Sequence, residues 1–219
     1  MYELALFPLY TVLFPGMPLH LHIFEPRYRL MIKRCLERNQ PFGVVLIRKG
    51  DEAMGRLAEP YITGCTARIA HTQHQRDGTL DLTVLGEERF RILELDYKEP
   101  YLFGKVETWL LEHPHTLQLL RKLPPLKQQV VAYLRLVAPL VGDEMDLAGL
   151  QLPDEPLMLV YLAASLLQLP PNEKQPLLEA ETANQLVADV MRLYGREICL
   201  LPRLSKISQK DSNRAAEMN

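Results

Sequence analysis

Long apolar runs, a strong net charge and paired cysteines are all missing from this chain of 219 residues. No run of about 18 uninterrupted apolar residues occurs, and a membrane-spanning helix needs about that many. Near the N-terminus, Glu3 and early prolines stand where a secretory signal has a basic segment followed by an apolar core. We therefore expect a cytoplasmic protein with no membrane partner.

The charges nearly balance, which argues against a polyanionic partner. Lys and Arg number 25 and Asp and Glu number 27, for a formal net charge of -2. Nucleic-acid affinity depends largely on neutralising phosphates, so this composition makes nucleic acid an unlikely partner. Hydrophobic residues at 47% and charged residues at 24% are ordinary for a folded chain, which excludes disorder throughout.

Candidate metal ligands are few and scattered. The three cysteines, Cys35, Cys65 and Cys199, are odd in number and form no CxxC pair, so we expect all three to be buried small apolar residues. Six histidines form three close pairs: His20 with His22, His71 with His74, and His113 with His115. A metal site needs three or four converging ligands, and the sequence assigns no third. We expect neither a metal nor a cofactor.

The opening segment FPLYTVLFPGMPLHLHIFEPRYRLM, residues 7–31, predicts a strand, a turn, a strand and a helix in that order. Pro15-Gly16, between two apolar runs, strongly favours a turn. Pro26 is expected to open the helix, over about residues 27–38, because the amide that proline lacks would be unpaired in the first turn.

The rest of the first half keeps the two-residue period of strands with one buried face. Residues 80–84 alternate cleanly, and Asp77-Gly78 before them favours a hairpin turn. The polar stretch 71–76 is interpreted as the connection to a strand at 66–70. Further strands are expected at 42–48, around 90–92 and at 101–111. We therefore predict a mainly antiparallel sheet, with one inserted helix, that curls into a barrel or sandwich.

After residue 115 the apolar spacing becomes helical. Helices are predicted over 127–140, from an N-cap at Asp154 through 169, and from about Thr182 onward, with the prolines marking their ends. The predicted domains are a β-rich subdomain at 1–115, a helical bundle at 116–204 and a flexible tail at 205–219. The predicted fold class is α+β.

The predicted helix at 27–38 is the most plausible docking element. It carries Arg27, Arg29 and Lys33 around an apolar stripe made by Tyr28, Met31, Ile32, Cys35 and Leu36. An ordinary solvated surface helix explains this pattern, and so does a docking edge for an acidic or extended polypeptide. Phe14 and Met17 either leave apolar surface at the loop tip or plug the barrel.

The opening segment resembles the N-terminal domain of the ATP-dependent protease Lon, whose pattern runs LFPL, LFPGM and then His-Ile-Phe-Glu-x-Arg-Tyr. Further similar stretches lie at 42–46, 64–69, 86–92 and 173–179, so the resemblance covers about residues 4–200. It implies a β-rich pseudo-barrel, often compared with the RNA-binding PUA fold, followed by a helical subdomain.

The resemblance implies a non-catalytic module that binds unfolded or extended polypeptides, and an adaptor role for a separate protease or chaperone in quality control. No GxxxxGK[ST] phosphate loop occurs, and Ser205-Lys206 falls in the predicted tail, so neither ATPase nor peptidase activity is expected. The polypeptide-binding residues predicted from the sequence are Phe14, Met17, Arg27, Arg29 and Lys33. The alternatives are an RNA-binding module of PUA-like fold and, with no identifiable nucleophile or base, an enzyme with a cleft between sheet and bundle.

Overall fold

The computed structural model describes residues 1–50, 58–97, 100–141 and 151–217. The chain divides into two compact units. One unit joins Met1–Glu112 with Ala164–Glu181, and the other joins His113–Ala163 with Thr182–Asn219. The predicted domain boundaries and the predicted flexibility of the tail stay predictions.

The first unit is built on six strands and one helix between the second and third strands. The strands are β1 (Tyr2–Leu9), β2 (Pro18–Ile23), β3 (Phe42–Lys49), β4 (Glu59–His74), β5 (Leu80–Asp96) and β6 (Leu102–Thr108), and the helix is α1 (Pro26–Arg38). Their spatial order is β2-β5-β4-β3-β1-β6, and β6 pairs back onto β5. Five strands therefore close into a ring, with β2 outside it along the first part of β5. Only the β1–β3 pairing is parallel among the described strands, which confirms the predicted α+β pseudo-barrel.

Aliphatic side chains and one ring fill the barrel. The cluster comprises Leu4, Leu6, Val45, Phe90, Leu102 and Val106. Phe90 needs glycines beside it, because a Cβ built on Gly43 or Gly64 would lie 2.6 Å from the Cζ atom of its ring. β6 and the first part of β5 alternate buried and more exposed residues, as the two-residue period predicted. That prediction is wrong for β1 and β3, because residues 4–9 and 42–47 are buried without interruption, so both faces of these strands are covered.

Two turns in this unit confirm their sequence signals, and one connection was predicted too long. Gly16 has φ 76° and Gly78 has φ 82°, the left-handed region in which glycine meets no Cβ penalty. The stretch 71–76 is not a connection, however, because β4 continues to His74, which pairs with Leu80. The backbone of a polar residue forms the same hydrogen bonds between strands as the backbone of an apolar residue. The polar side chains at 71–74 therefore did not end the strand.

Four further helices follow the strands: α2 (Leu117–Val141), α3 (Pro156–Leu166), α4 (Pro171–Leu178) and α5 (Ala183–Glu217). The short helix α4 was not predicted, and α3 ends three residues before the predicted 169. Prolines marked only some of the helix ends. Pro156 begins α3 and Pro171 begins α4, both at predicted boundaries. Pro124 and Pro125, however, lie inside α2, and Pro202 lies inside α5. Each proline removes one backbone hydrogen bond from a long helix, while the turns on either side keep theirs.

The predicted N-cap Asp154 is corrected to Glu155. The Glu155 carboxylate accepts hydrogen bonds from the backbone amides of Leu157 and Met158, which lie in the first turn of α3. Asp154 instead pairs with Lys127 at 2.9 Å. Thr182 does precede α5 as predicted, and its Oγ1 accepts from the Gln185 amide. Among the described residues, no helix is long and apolar enough to cross a membrane.

Candidate functional site

A surface groove of about 490 Å³ runs between the outer side of α1 and the turn that joins β4 to β5. We call it the α1 groove. Its lining residues come from α1 and from that turn: Pro26, Arg29, Leu30, Lys33, Leu36, Glu37, His74, Gly78 and Leu80. Two of the five residues that the sequence predicted for polypeptide binding, Arg29 and Lys33, therefore lie in one concave site.

The burial pattern of α1 explains which side chains reach the groove. Tyr28, Met31, Ile32 and Cys35 are buried at helical spacing against the barrel. Leu36 was expected to belong to that stripe but is 42% exposed, and Leu30 is 36% exposed. Leu36 follows Cys35 by one residue and so turns about 100° away from the core. The groove thus gains two leucines that inspection of the sequence did not assign to it.

Two cations border these leucines. The Arg29 guanidinium passes over the turn, where its Nη2 lies 3.2 Å from the position that a Cβ on Gly78 would occupy. Lys33 Nζ lies 3.8 Å from the Glu37 carboxylate, and both side chains are more than half exposed, so their attraction is weak. Within the parts of the chain that the structure describes, no ion pair engages Arg29. The groove is therefore an apolar strip with positive charge beside it.

The other three predicted residues lie elsewhere. Arg27 Nε donates to Glu25 Oε2 at 2.9 Å and the guanidinium lies 4.6 Å from the Tyr28 ring centroid, so its charge is already engaged. Phe14 is 1% exposed and Met17 is 6% exposed. Neither side chain offers surface to a ligand, so the alternative of exposed apolar surface at the loop tip is wrong. Backbone hydrogen bonds fasten the loop that carries them to Gly86.

The outer edge of β2 is a second feature that the sequence did not single out. The Gly86 amide donates to the Met17 carbonyl at 3.0 Å, and Pro18 lies opposite Leu85. Because bonded pairs alternate in an antiparallel ladder, the backbone groups of His20 and His22 point away from β5. No described strand pairs with that side of β2. The edge therefore offers two amides and two carbonyls to an extended chain.

The imidazoles of this edge make ordinary polar contacts. His22 Nδ1 lies 2.7 Å from Asp81 Oδ1, and this hydrogen bond, together with one from Gln75, lowers the pKa of the Asp81 carboxyl. His20 Nδ1 lies 3.1 Å from Thr83 Oγ1. No three His, Cys, Asp or Glu side chains in the described ranges are placed to hold a metal ion.

Burial sets the character of two cysteines. Cys35 and Cys65 are buried, and desolvation raises their thiol pKa values to about 11 and about 12. Cys199 is exposed, so the expectation that all three are buried is wrong for this one. None of the side chains at 195–202, around Cys199, is buried, whereas the first turns of α5 carry several buried ones.

The architecture and the groove define a class: an α+β protein with a closed five-stranded barrel, a strand outside the ring and an open groove beside its first helix. A family model described as the ATP-dependent protease La (LON) substrate-binding domain matches residues 3–194. The chain belongs to this family, as the resemblance of its opening segment predicted.

Relatives and solved structures agree with that assignment. The Lon protease of Anaeromyxobacter dehalogenans is 27% identical over 204 residues, which are 90% of this chain and 23% of the relative. Lon protease 1 of Hydrogenovibrio crunogenus is 26% identical over 91% of this chain and 24% of its own length. The chain thus spans about a quarter of these relatives.

Two solved structures share the fold. A Lon N-terminal domain protein from Xanthomonas campestris has a TM-score of 0.66 at 24% identity, covering 88% of this chain and 98% of its own. The N-terminal domain of a Mycobacterium avium complex Lon protease has a TM-score of 0.67 at 16% identity, covering 89% and 98%. At these identities, both similarities show the fold alone.

Proposed function

We propose that this protein is a non-catalytic module that binds extended or unfolded polypeptides through the α1 groove. The observation that carries the proposal is the pair of exposed leucines, Leu30 and Leu36, bordered by the cations Arg29 and Lys33. Membership in a substrate-binding family supports the same function. We further propose that the module acts as an adaptor that brings its clients to a separate protease or chaperone.

The chemistry of the groove suits a short segment that mixes aliphatic and acidic residues. Aliphatic side chains would cover Leu30 and Leu36, while a carboxylate would lie near Arg29 or Lys33. Full burial of one leucine contributes about 1.5–3 kcal/mol, but these are only partly exposed, and an exposed ion pair adds at most about 1 kcal/mol. We therefore expect dissociation constants on the order of 0.1–1 mM, which permits broad specificity.

Backbone pairing at β2 would add to this binding without adding sequence preference. An extended chain that pairs with the outward groups of His20 and His22 forms main-chain hydrogen bonds whatever its side chains are. The groove would then supply what selectivity the module has.

The test uses fluorescence anisotropy with a labelled, permanently unfolded protein and the purified full chain. Arg29→Ala with Lys33→Ala, and separately Leu36→Ser, are expected to weaken binding about threefold to tenfold. The matched controls are Arg121→Ala and Leu120→Ser on α2, where Leu120 is 48% exposed, and they are expected to change nothing. Equal effects of groove and control variants would refute the site.

A parallel titration with single-stranded RNA at low and high salt tests the alternative function. Strong, steeply salt-dependent RNA binding without polypeptide binding would replace the proposal by an RNA-binding module. Intrinsic turnover of peptide or ATP by the purified chain would refute its non-catalytic nature.

A further inference from the structure

The face of α1 opposite the groove contributes to a second, smaller pocket of about 200 Å³. Its floor is apolar and includes the buried side chains of Leu4, Met31 and Cys35. Burial raises the pKa of Cys35 to about 11, so the thiol is neutral and brings no charge. A pocket below the roughly 300–1,000 Å³ of drug-sized sites suits one amino-acid side chain rather than a cofactor.

Hydrogen-bond donors gather at the rim of this pocket. Arg34 Nη1 donates to Tyr101 Oη at 2.9 Å, and the Tyr101 side chain is 3% exposed. Since the phenol oxygen accepts this bond, its own proton is left to donate, and no described residue accepts it. Arg38 follows Arg34 by four residues, so the two guanidinium groups lie on one side of α1 about one turn apart. Glu3 is the one described carboxylate in the lining.

This combination favours a singly charged carboxylate over a phosphate. Arg38 lies in the last turn of α1, where the partial negative charge of the helix end disfavours a concentrated anion. The Arg38 guanidinium and the Tyr101 phenol proton match the two oxygens of one carboxylate, while the floor matches an apolar side chain next to it. In a polypeptide that pair of groups occurs together at the C-terminus.

We propose that this pocket binds the C-terminal residue of a polypeptide, taking an aliphatic side chain on its floor and the terminal carboxylate at Arg38 and Tyr101, while Arg34 holds the Tyr101 phenol in place. This inference rests on the proposed function, since it names which part of a client chain the module recognises. It adds an end-specific contact to the end-independent binding in the α1 groove.

Isothermal titration calorimetry with N-acetyl-L-leucine and N-acetyl-L-leucinamide tests the carboxylate requirement on the full chain. We expect millimolar binding of the acid and about tenfold weaker binding of the amide, because a hydrogen bond to a charged group is worth about 1.5–3 kcal/mol. Equal binding of the two compounds, or no binding of the acid at millimolar concentration, would overturn the assignment. Tighter binding of octanoate or inorganic phosphate than of the acid would overturn it in favour of another anion.

Variants locate the contact and separate it from the groove. Arg38→Gln and Tyr101→Phe are each expected to weaken the acid about fivefold to tenfold and to leave the amide unchanged. Arg121→Gln and Tyr97→Phe are the controls, since Tyr97 is 52% exposed and outside this pocket. An unfolded protein with an amidated C-terminus should still bind the α1 groove. If N-acetyl-L-leucine and its amide bind equally while the amidated unfolded protein still binds, only the pocket assignment is refuted. If the amidated unfolded protein does not bind, the proposed function is refuted.

Discussion

Replacing the buried Arg89 by methionine should destabilise the barrel unit more than any surface change in it. Arg89 is 2% exposed, and its Nη1 donates to the carbonyls of Leu178 at 2.7 Å and Ala180 at 2.6 Å. Leu178 is the last residue of α4 and Ala180 lies two residues beyond it, so the arginine ties the C-terminal end of α4 to β5. Its guanidinium also lies 4.5 Å from the ring centroid of Trp109.

The magnitude follows from these contacts. Two hydrogen bonds from a charged donor contribute about 1.5–3 kcal/mol each, and a cation–π contact adds about 0.5–2 kcal/mol. Removing the cation also removes its desolvation penalty, which offsets part of the loss. We expect Arg89→Met to lower the free energy of unfolding by about 3–5 kcal/mol, a large share of the roughly 5–15 kcal/mol typical of a domain.

Urea unfolding followed by the fluorescence of Trp109, the one tryptophan in the chain, measures this effect directly. Arg91→Met is the matched control, because Arg91 stacks on the same ring at 3.5 Å and its buried Nε has no hydrogen-bond partner among the residues that the structure describes. We expect the control to cost about 1–2 kcal/mol. A loss of under about 1 kcal/mol for Arg89→Met, or equal losses for both variants, would refute the role given to the carbonyl contacts.

Three further predictions follow from packing, protonation and exposure. Gly64→Ala should destabilise by about 1–3 kcal/mol in the same assay, because its Cβ would lie 2.6 Å from Phe90 Cζ; an unchanged midpoint would contradict the packing. The lowered pKa of Asp81 contributes stability that is present above its unfolded pKa of about 3.9 and is lost as pH falls through the folded value. In Asp81→Asn, the free energy of unfolding should therefore fall less steeply than in the wild type as the pH is lowered. An identical acid dependence in the two proteins would exclude the His22–Asp81 contact. Iodoacetamide should label Cys199 alone in the native protein, which mass spectrometry of the peptides will show; native labelling of the other two thiols would contradict their burial.

Local signals in the sequence predicted much of the barrel. Pro26 at the first turn of α1 and Gly78 in the β4–β5 turn act through backbone preferences that neighbouring residues alone define. The two-residue period likewise located β6 and the first part of β5, because alternation records which face is buried. It does not describe β1 and β3, which are buried on both faces. Helix ends were less accurate, as Pro124 inside α2 shows. A proline shows where a backbone hydrogen bond is missing, but it does not show whether the rest of the helix tolerates that loss.

What the sequence by itself determined is the family, the succession of strands along the chain and the amphipathic α1 helix, because motifs and periods involve residues that are close together in the sequence. Only the tertiary structure decided that Phe14 and Met17 are buried, that Leu36 faces the α1 groove and that Arg89 reaches the carbonyls at the C-terminal end of α4. Each of these depends on a partner far along the chain. The pairing of distant segments decides which of two equally apolar residues is covered, and no local pattern carries that information.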